Sequence, residues 1–384
     1  MGVRIFYMGN TRKLKVLVVL LNLKVANGVS SFIINYYRKL DYREITMDFV
    51  VYQDAETPYY EEIRKNNSHI YILPSAKNIR KHMRACQKIL INGKYDIIHD
   101  NILILSTGLM YYAKKLGVPV RILHSHNSEL GANYWKKIRN KLLLPFLVKQ
   151  ATDYFACSDL AAECLFGSKS YTFIPNVVDG NNLRLNQRIR NRIRSDTGTT
   201  NKLVITTVGR LAEQKNPFYA VDVIRELKKY NKNIEYWWIG DGPLEKKVKE
   251  YILKKDAESY IHLFGRRTDV TDFYQGSDVF FLPSIFEGLP VTGVEAQATG
   301  LLCFVSDAIT RQFIYTDLVK TFSVKNSPEN AARIFAEWLS SVPLDRDRTK
   351  YIKFLEGSRF CDWKAGQFLE TVYKKLFKLR QYHN

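Results

Sequence analysis

Val279-Phe280-Phe281-Leu282-Pro283-Ser284-Ile285-Phe286-Glu287-Gly288-Leu289-Pro290-Val291-Thr292-Gly293-Val294-Glu295-Ala296 is the stretch on which the fold turns. The apolar run Val279–Leu282 makes a short buried strand, and the Pro- and Gly-bearing turn after it opens a helix. Strand, glycine turn, helix start is the geometry in which free backbone amides and the helix dipole hold phosphate oxygens. Pro290 has no amide hydrogen, which leaves Gly288, Leu289, Val291 and Thr292 as candidate donors. Glu287 and Glu295 bracket the turn. A carboxylate beside a phosphate is repelled by it and needs hydrogen-bond donors of its own, for which sugar hydroxyls are suited. The plainer reading of either residue is an acid favoured by the helix dipole.

Outward from this unit the pattern repeats. Leu203–Val208, Glu235–Ile239, Ile261–Phe264 and Leu301–Val305 are apolar strands separated by helical segments. The first half shows the same alternation in Val16–Leu21, Met47–Tyr52, Ile70–Leu73, Asp96–His99, Val120–His124 and Tyr154–Cys157. A turn at Asn27-Gly28 there precedes an amphipathic helix through Phe32, Ile33, Tyr36 and Leu40. Between the halves, the polar, arginine-rich Asp179–Lys202 breaks the alternation and marks a domain boundary. The prediction is an α/β protein with two Rossmann-like, doubly wound domains facing across a cleft. They span 1–190 and 201–362, and a C-terminal segment, 363–384, crosses back to the first domain. Ligands of such sheets sit at the carboxyl ends of the strands, which places the site in the cleft.

Composition narrows the function. A chain of 384 residues with 46% hydrophobic and 25% charged residues is folded and too long for one ordinary core. Cys86, Cys157, Cys164, Cys303 and Cys361 are scattered without a Cys-x-x-Cys pair, which suits a reducing cytoplasm and offers no zinc site. No stretch has the length of a membrane span; the apolar run Val16–Leu21 is too short for a signal core. Phe6 stands where an acylation signal beginning at Gly2 needs Ser or Thr. The net charge of +20 calls for an anionic partner: nucleic acid, an anionic membrane surface or a phosphorylated substrate. The basic residues are spread over both halves and no nucleic-acid module is visible, so nucleic acid is not expected. Within Tyr134–Lys149, Lys136, Lys137, Arg139, Lys141 and Lys149 come with no acid. Trp135, Ile138, Leu142 and Phe146 share a helical stripe on which Arg139 intrudes. This fits an in-plane helix on anionic lipid; the alternative is a core-facing helix with a solvated basic side, broken or kinked at Pro145.

Glu287 and Glu295, seven residues between them, within Pro-Ser-x-x-Glu-Gly-x-Pro, resemble the donor-site motif of family 4 retaining glycosyltransferases of the GT-B fold, of the bacterial capsular and exopolysaccharide type. Val208-Gly209-Arg210-Leu211 with Gln214-Lys215-Asn216 resembles the family's Gly-Arg-Leu-x-x-x-Lys segment. Ile239-Gly240-Asp241-Gly242-Pro243 and Leu263-Phe264-Gly265-Arg266 resemble its next two signatures, the second near the nucleotide base. The resemblance implies that Arg210 and Lys215 neutralise the donor diphosphate, that Glu295 holds the ribose and that Glu287 holds the transferred sugar. Gly288, Leu289 and Val291 complete the donor loop, with Asn216, Gly265 and Arg266 beside it.

In the first half the match is looser. Asn27-Gly28-Val29 stands where relatives have Gly-Gly, with Gly28 still permitting close approach of the phosphates. Tyr95-Asp96-Ile97-Ile98-His99 resembles a strand end of these enzymes, and Ile174-Pro175-Asn176-Val177-Val178-Asp179 the segment closing the first domain. Ile122-Leu123-His124-Ser125-His126-Asn127 ends a strand where the family places a sugar-binding histidine. His124 and His126 both qualify, with His126 nearer the cleft.

The function implied is retaining transfer of a hexosyl or N-acetylhexosaminyl group. The donor is a nucleotide sugar, UDP-linked, and the acceptor a glycan or lipid-linked glycan in surface polysaccharide synthesis. No metal or other cofactor is implied, and the expected place is the cytoplasm, peripheral at the inner membrane face. The alternatives are a sugar-nucleotide epimerase of the same fold and a non-catalytic basic surface-binding relative.

Overall fold

The computed structural model describes residues 12–25, 27–55, 57–128 and 134–381, with the side chains of 134, 136 and 137 excepted. Gly2 and Phe6, and the side chains of Lys136 and Lys137, therefore lie outside the described residues.

The first sheet is built from β1 (Leu14–Leu20), β2 (Ile45–Val51), β3 (Ile70–Ile72), β4 (Ile97–Asp100), β5 (Val120–Ser125), β6 (Asp153–Ala156) and β7 (Thr172–Phe173). Its order is β3-β2-β1-β4-β5-β6-β7, every pair parallel. The second contains β8 (Leu203–Val208), β9 (Ile234–Ile239), β10 (Ile261–Leu263), β11 (Val279–Leu282), β12 (Leu302–Ser306) and β13 (Val319–Phe322), in the order β10-β9-β8-β11-β12-β13. Parallel sheets carry helices on both faces, so their strands read as unbroken apolar runs rather than alternating ones. Val16–Val19 and Val279–Leu282 are fully buried accordingly. In each sheet the order reverses beside its first strand. β1 pairs β4 with Val18 opposite His99, and β8 pairs β11 with Ile205 opposite Val279. A crevice opens at such a reversal because the chain leaves neighbouring strands in opposite directions. This is the GT-B architecture expected from the sequence.

One face of the first sheet packs on the helix Gly28–Tyr37 and on the C-terminal helix Ala365–Gln381, whose Leu369 and Tyr373 are buried in the same core as Val18, Phe32 and Tyr36. The C-terminal helix meets the first sheet's layer through a close backbone approach. A Cβ on Gly366 would fall on the carbonyl of Lys39. Lys39 pairs with buried Asp362 at 2.8 Å, and Glu370 accepts from the amide of Asp41.

Three local features depart from the sequence reading. β7 and β13 are edge strands, two and four residues long, too short and too mixed in polarity to stand out as apolar runs. The boundary stretch contains the helix Gln187–Asp196, capped by the Asn186 side chain on the amides of Arg188 and Ile189. Arg190 and Arg194, part of the arginine-rich composition that marked a domain boundary, reach Asp278 at 2.5 and 3.1 Å and fasten the helix to the second sheet. Pro145 does not end its helix, which runs continuously over Tyr134–Val148. The proline sits in the last turn, where its missing amide forfeits a single bond, and buried Leu147 anchors the turn beyond it.

Candidate active site

The two sheets present their carboxyl ends to one cleft of about 640 Å³. From the first sheet come the β1 loop with Asn22, Asn27 and Gly28, the β4 loop Asn101–Leu103 with Leu105, and His124 to Asn127 at the end of β5 and just beyond it. From the second come Gly209, Arg210, Lys215 and the Glu287–Thr292 turn. The structure thus brings together Gly28, His126, Arg210, Lys215, Glu287, Gly288, Leu289 and Val291. Asn216, Gly265, Arg266 and Glu295 are not among the lining residues.

The turn after β11 leaves its amides open. Pro290 caps the helix Val291–Ala298 without a side-chain bond, and the amides of Gly293 and Val294 return to the Pro290 carbonyl. Among the described residues no protein group accepts from the amides of Gly288, Leu289, Val291 or Thr292. Arg210 is exposed and makes no ion pair among the described residues. Free amides, a helix N-terminus and an uncommitted guanidinium facing one cleft make an anion site.

Lys215 is differently placed. Its Nζ lies 2.5 Å from Glu287 Oε1, both side chains nearly buried. Ser284 Oγ donates to the same oxygen at 2.9 Å and Gln214 Nε2 to the other at 3.2 Å. The sequence suggested sugar hydroxyls as partners of Glu287; the protein already supplies three donors. The Lys215 stem lies over Gly209, where a Cβ would come within 2.9 Å of its Cε.

Glu295 sits behind the loop with Oε2 accepting from Tyr274 OH at 2.9 Å. Burial pushes its carboxyl up to about 7, against the tyrosine bond, which lowers it. Asn216 serves the backbone: it takes the left-handed conformation, φ 56°, that turns the chain into the helix Pro217–Leu227, a conformation asparagine tolerates. Gly265 accepts from the amide of Gly240 at 2.7 Å, and exposed Arg266 pairs with Asp241 at 3.1 Å, on the rim beside Gly209.

The two halves touch at the turn. A Cβ on Gly288 would meet the His126 carbonyl at 2.0 Å, so only glycine lets the donor loop lie against the β5 loop. Asn176 Nδ2 donates to the Leu289 carbonyl at 3.1 Å and Ser128 Oγ to that of Glu287 at 3.1 Å. His126 lines the cleft half-buried, bonded through Nε2 to Asn101 Oδ1 at 2.8 Å, while His124 is fully buried behind it. Burial lowers both imidazoles, His126 to about 3, so each is neutral. Asn101 and Tyr274 were invisible to sequence reading because polar residues outside a motif carry no signal until the fold gives them a partner; Ser284 and Gln214 stood within the quoted motifs, but their bonds to Glu287 emerge only in the fold. Among the described residues no group of three or more His, Cys, Asp or Glu side chains is placed to hold a metal ion.

Residues 26–181 match the family model described as Glycosyltransferase Family 4, and residues 189–353 the model described as Glycosyl transferases group 1. Together they take in every strand of both sheets except β1, and every lining residue but the first three. The chain belongs to glycosyltransferase family 4. It is 29% identical over 303 residues to the glycosyltransferase EpsF of Bacillus subtilis, covering 74% of this chain and 77% of that one. It is 26% identical to the capsular polysaccharide biosynthesis glycosyltransferase CapH of Staphylococcus aureus, covering 74% and 79%. A match at 30% identity covers 59% of this chain and 62% of an Escherichia coli galactosyltransferase that acts on a GlcNAc-diphosphoundecaprenol. The fold is shared with Anabaena HepE, solved in complex with UDP, at a TM-score of 0.75 and 14% identity over 94% of this chain and all of that one. No helix of the glycosyltransferase, among the described residues, is long and apolar enough to cross a membrane.

Proposed function

We propose that this glycosyltransferase moves a hexosyl or N-acetylhexosaminyl group from a UDP-sugar, with retention, to a glycan or lipid-linked glycan of a bacterial surface polysaccharide. The observation that carries the donor side is the meeting of Arg210 with the amides of Gly288, Leu289, Val291 and Thr292, all without a protein partner among the described residues. The UDP complex of HepE and the name of CapH support the nucleotide and the pathway class.

In this reading the acceptor hydroxyl bonds the anomeric carbon on the face the nucleotide leaves, and its proton passes to the departing phosphate oxygen. Arg210 and Lys215 balance the charge that grows there, the term on which such catalysis rests. Glu287 fixes the Lys215 ammonium and turns its remaining lone pairs to the sugar, Glu295 takes the ribose, and His126 contacts the sugar. These fixed cations make the transfer independent of added metal.

Two surface features support a lipid-linked acceptor met at an anionic membrane. Ile102, Leu103 and exposed Leu105 form an apolar lip of the cleft, against which the helix Tyr134–Val148 packs. On that helix Trp135, Leu142 and Phe146 are 77%, 75% and 52% exposed, so the stripe faces outward while Leu147 takes the core. The core-facing alternative for the stripe does not match this burial.

Nucleotide release from a panel of UDP-, GDP- and ADP-sugars, with candidate acceptors and excess chelator, tests the reading. Acceptor-dependent release from a UDP-sugar is expected. Release that needs Mg²⁺ or Mn²⁺ refutes metal independence, an inverted anomer refutes retention, and donor epimerisation without acceptor favours the alternative enzyme.

A further inference from the structure

Behind the cleft wall runs a hydrogen-bonded line of buried groups from three separate parts of the chain. Tyr373 OH, on the C-terminal helix, lies 2.6 Å from His99 Nδ1 on β4, and His99 Nε2 lies 2.9 Å from His124 Nδ1 on β5. All three side chains are fully buried, and the two imidazoles lie edge to edge, centroids 5.1 Å apart and planes within 12° of each other. The line ends on an orphan: His124 Nε2 is sealed from solvent without a partner, in a residue that lines the cleft. A buried polar atom left so is rare in folded proteins.

Chemistry sets the direction of the line. A phenol O–H is a stronger acid than an imidazole N–H, and an imidazole nitrogen accepts better than a phenol oxygen. Tyr373 therefore donates to His99 Nδ1, His99 Nε2–H donates to His124 Nδ1, and His124 is left with its hydrogen on Nε2. Beside it, with ring centroids 4.0 Å apart, His126 has the opposite polarity. Asn101 Nδ2 donates to the carbonyls of Val19 and His99, which turns its Oδ1 to His126 Nε2–H and leaves His126 Nδ1 as an acceptor.

We propose that Asn101 leaves His126 Nδ1 as the acceptor for one hydroxyl of the transferred sugar, and that Tyr373 and His99 are positioning residues that fix the buried His124 ring against which His126 rests. The inference rests on the donor-sugar reading above. It gives the C-terminal helix a part in sugar recognition as well as in packing.

Two measurements on the full-length protein test it. With ¹⁵N-histidine labelling, wild type shows neutral His99 and His124 both protonated at Nε2, and Tyr373→Phe loses that uniform tautomer at His99. In binding and turnover, Tyr373→Phe and His99→Phe lower kcat/KM for the UDP-sugar about tenfold while UDP itself binds as to wild type, with folding checked by thermal melting. Nδ1-protonated imidazoles in wild type, or an equal loss for UDP and UDP-sugar, overturn the proposal. A wild type that binds no sugar nucleotide refutes the functional reading instead, and the tautomers still decide whether the line exists.

Discussion

Arg210 and Lys215 stand five residues apart in one segment, yet the fold gives them different surroundings, and their loss should differ accordingly. Arg210 is exposed and uncommitted, so Arg210→Ala should cut kcat by the roughly 2–4 kcal/mol typical of one electrostatic donor and leave the melting temperature unchanged. Lys215→Ala should show a similar kinetic loss and also melt lower, because it strips the cation from the nearly buried Glu287 carboxylate. Equal melting temperatures for the two variants would contradict the ion pair, and near wild-type turnover would contradict the diphosphate role.

Glu295 yields a pH test. Its folded value of about 7 lies above the ordinary 4.5, so across that window the folded protein keeps a proton the unfolded chain has released. Stability from this residue is full below about 4.5 and falls as pH rises to about 7. Ribose hydroxyls donate to the ionised form, so UDP should bind more tightly as pH rises through 7 and should release a proton below it. Calorimetry in buffers of different ionisation heat reads that proton directly. Glu295→Gln should abolish both effects; an unchanged profile would return Glu295 to the role of a helix-dipole acid.

At the scale of elements, the fold class was legible because buried parallel strands write themselves as short apolar runs, and Val279–Leu282 followed by a glycine turn is such a signal. The helix Gln187–Asp196 was not, because guanidiniums that serve as fasteners to Asp278 look like solvated charge until the carboxylate is seen. The segment Tyr134–Lys149 was expected to be helical and the helix runs over Tyr134–Val148, but which residues it buries is a tertiary fact. Its exposed Trp135, Leu142 and Phe146 beside Arg139, Lys141 and Lys149 predict salt-sensitive sedimentation with anionic vesicles. Leu142→Ser with Phe146→Ser should reduce that binding without lowering the melting temperature. Equal binding to neutral vesicles, or none to either, would contradict a membrane role.

For the whole molecule, the cleft exists because two sheets reverse their strand order opposite one another and a glycine lets them meet at Gly288 and His126. The resemblance in sequence pointed to the donor residues one by one. It could not show that Lys215 and Glu287 are bound to each other, or that Tyr373, over two hundred residues from His124 in sequence, stands two hydrogen bonds behind it. Those relations belong to the closed structure. A nucleoside diphosphate must bind in this cleft against Arg210, which makes no ion pair among the described residues. Calorimetric titration of UDP into wild type, Arg210→Glu and, as a distant exposed control, Arg333→Glu tests that requirement. One UDP per chain should bind wild type and the control alike, and Arg210→Glu should lose at least the roughly 10–150-fold that one charged hydrogen bond is worth. Undiminished affinity in Arg210→Glu, or no binding of any nucleoside diphosphate to wild type, would contradict the account.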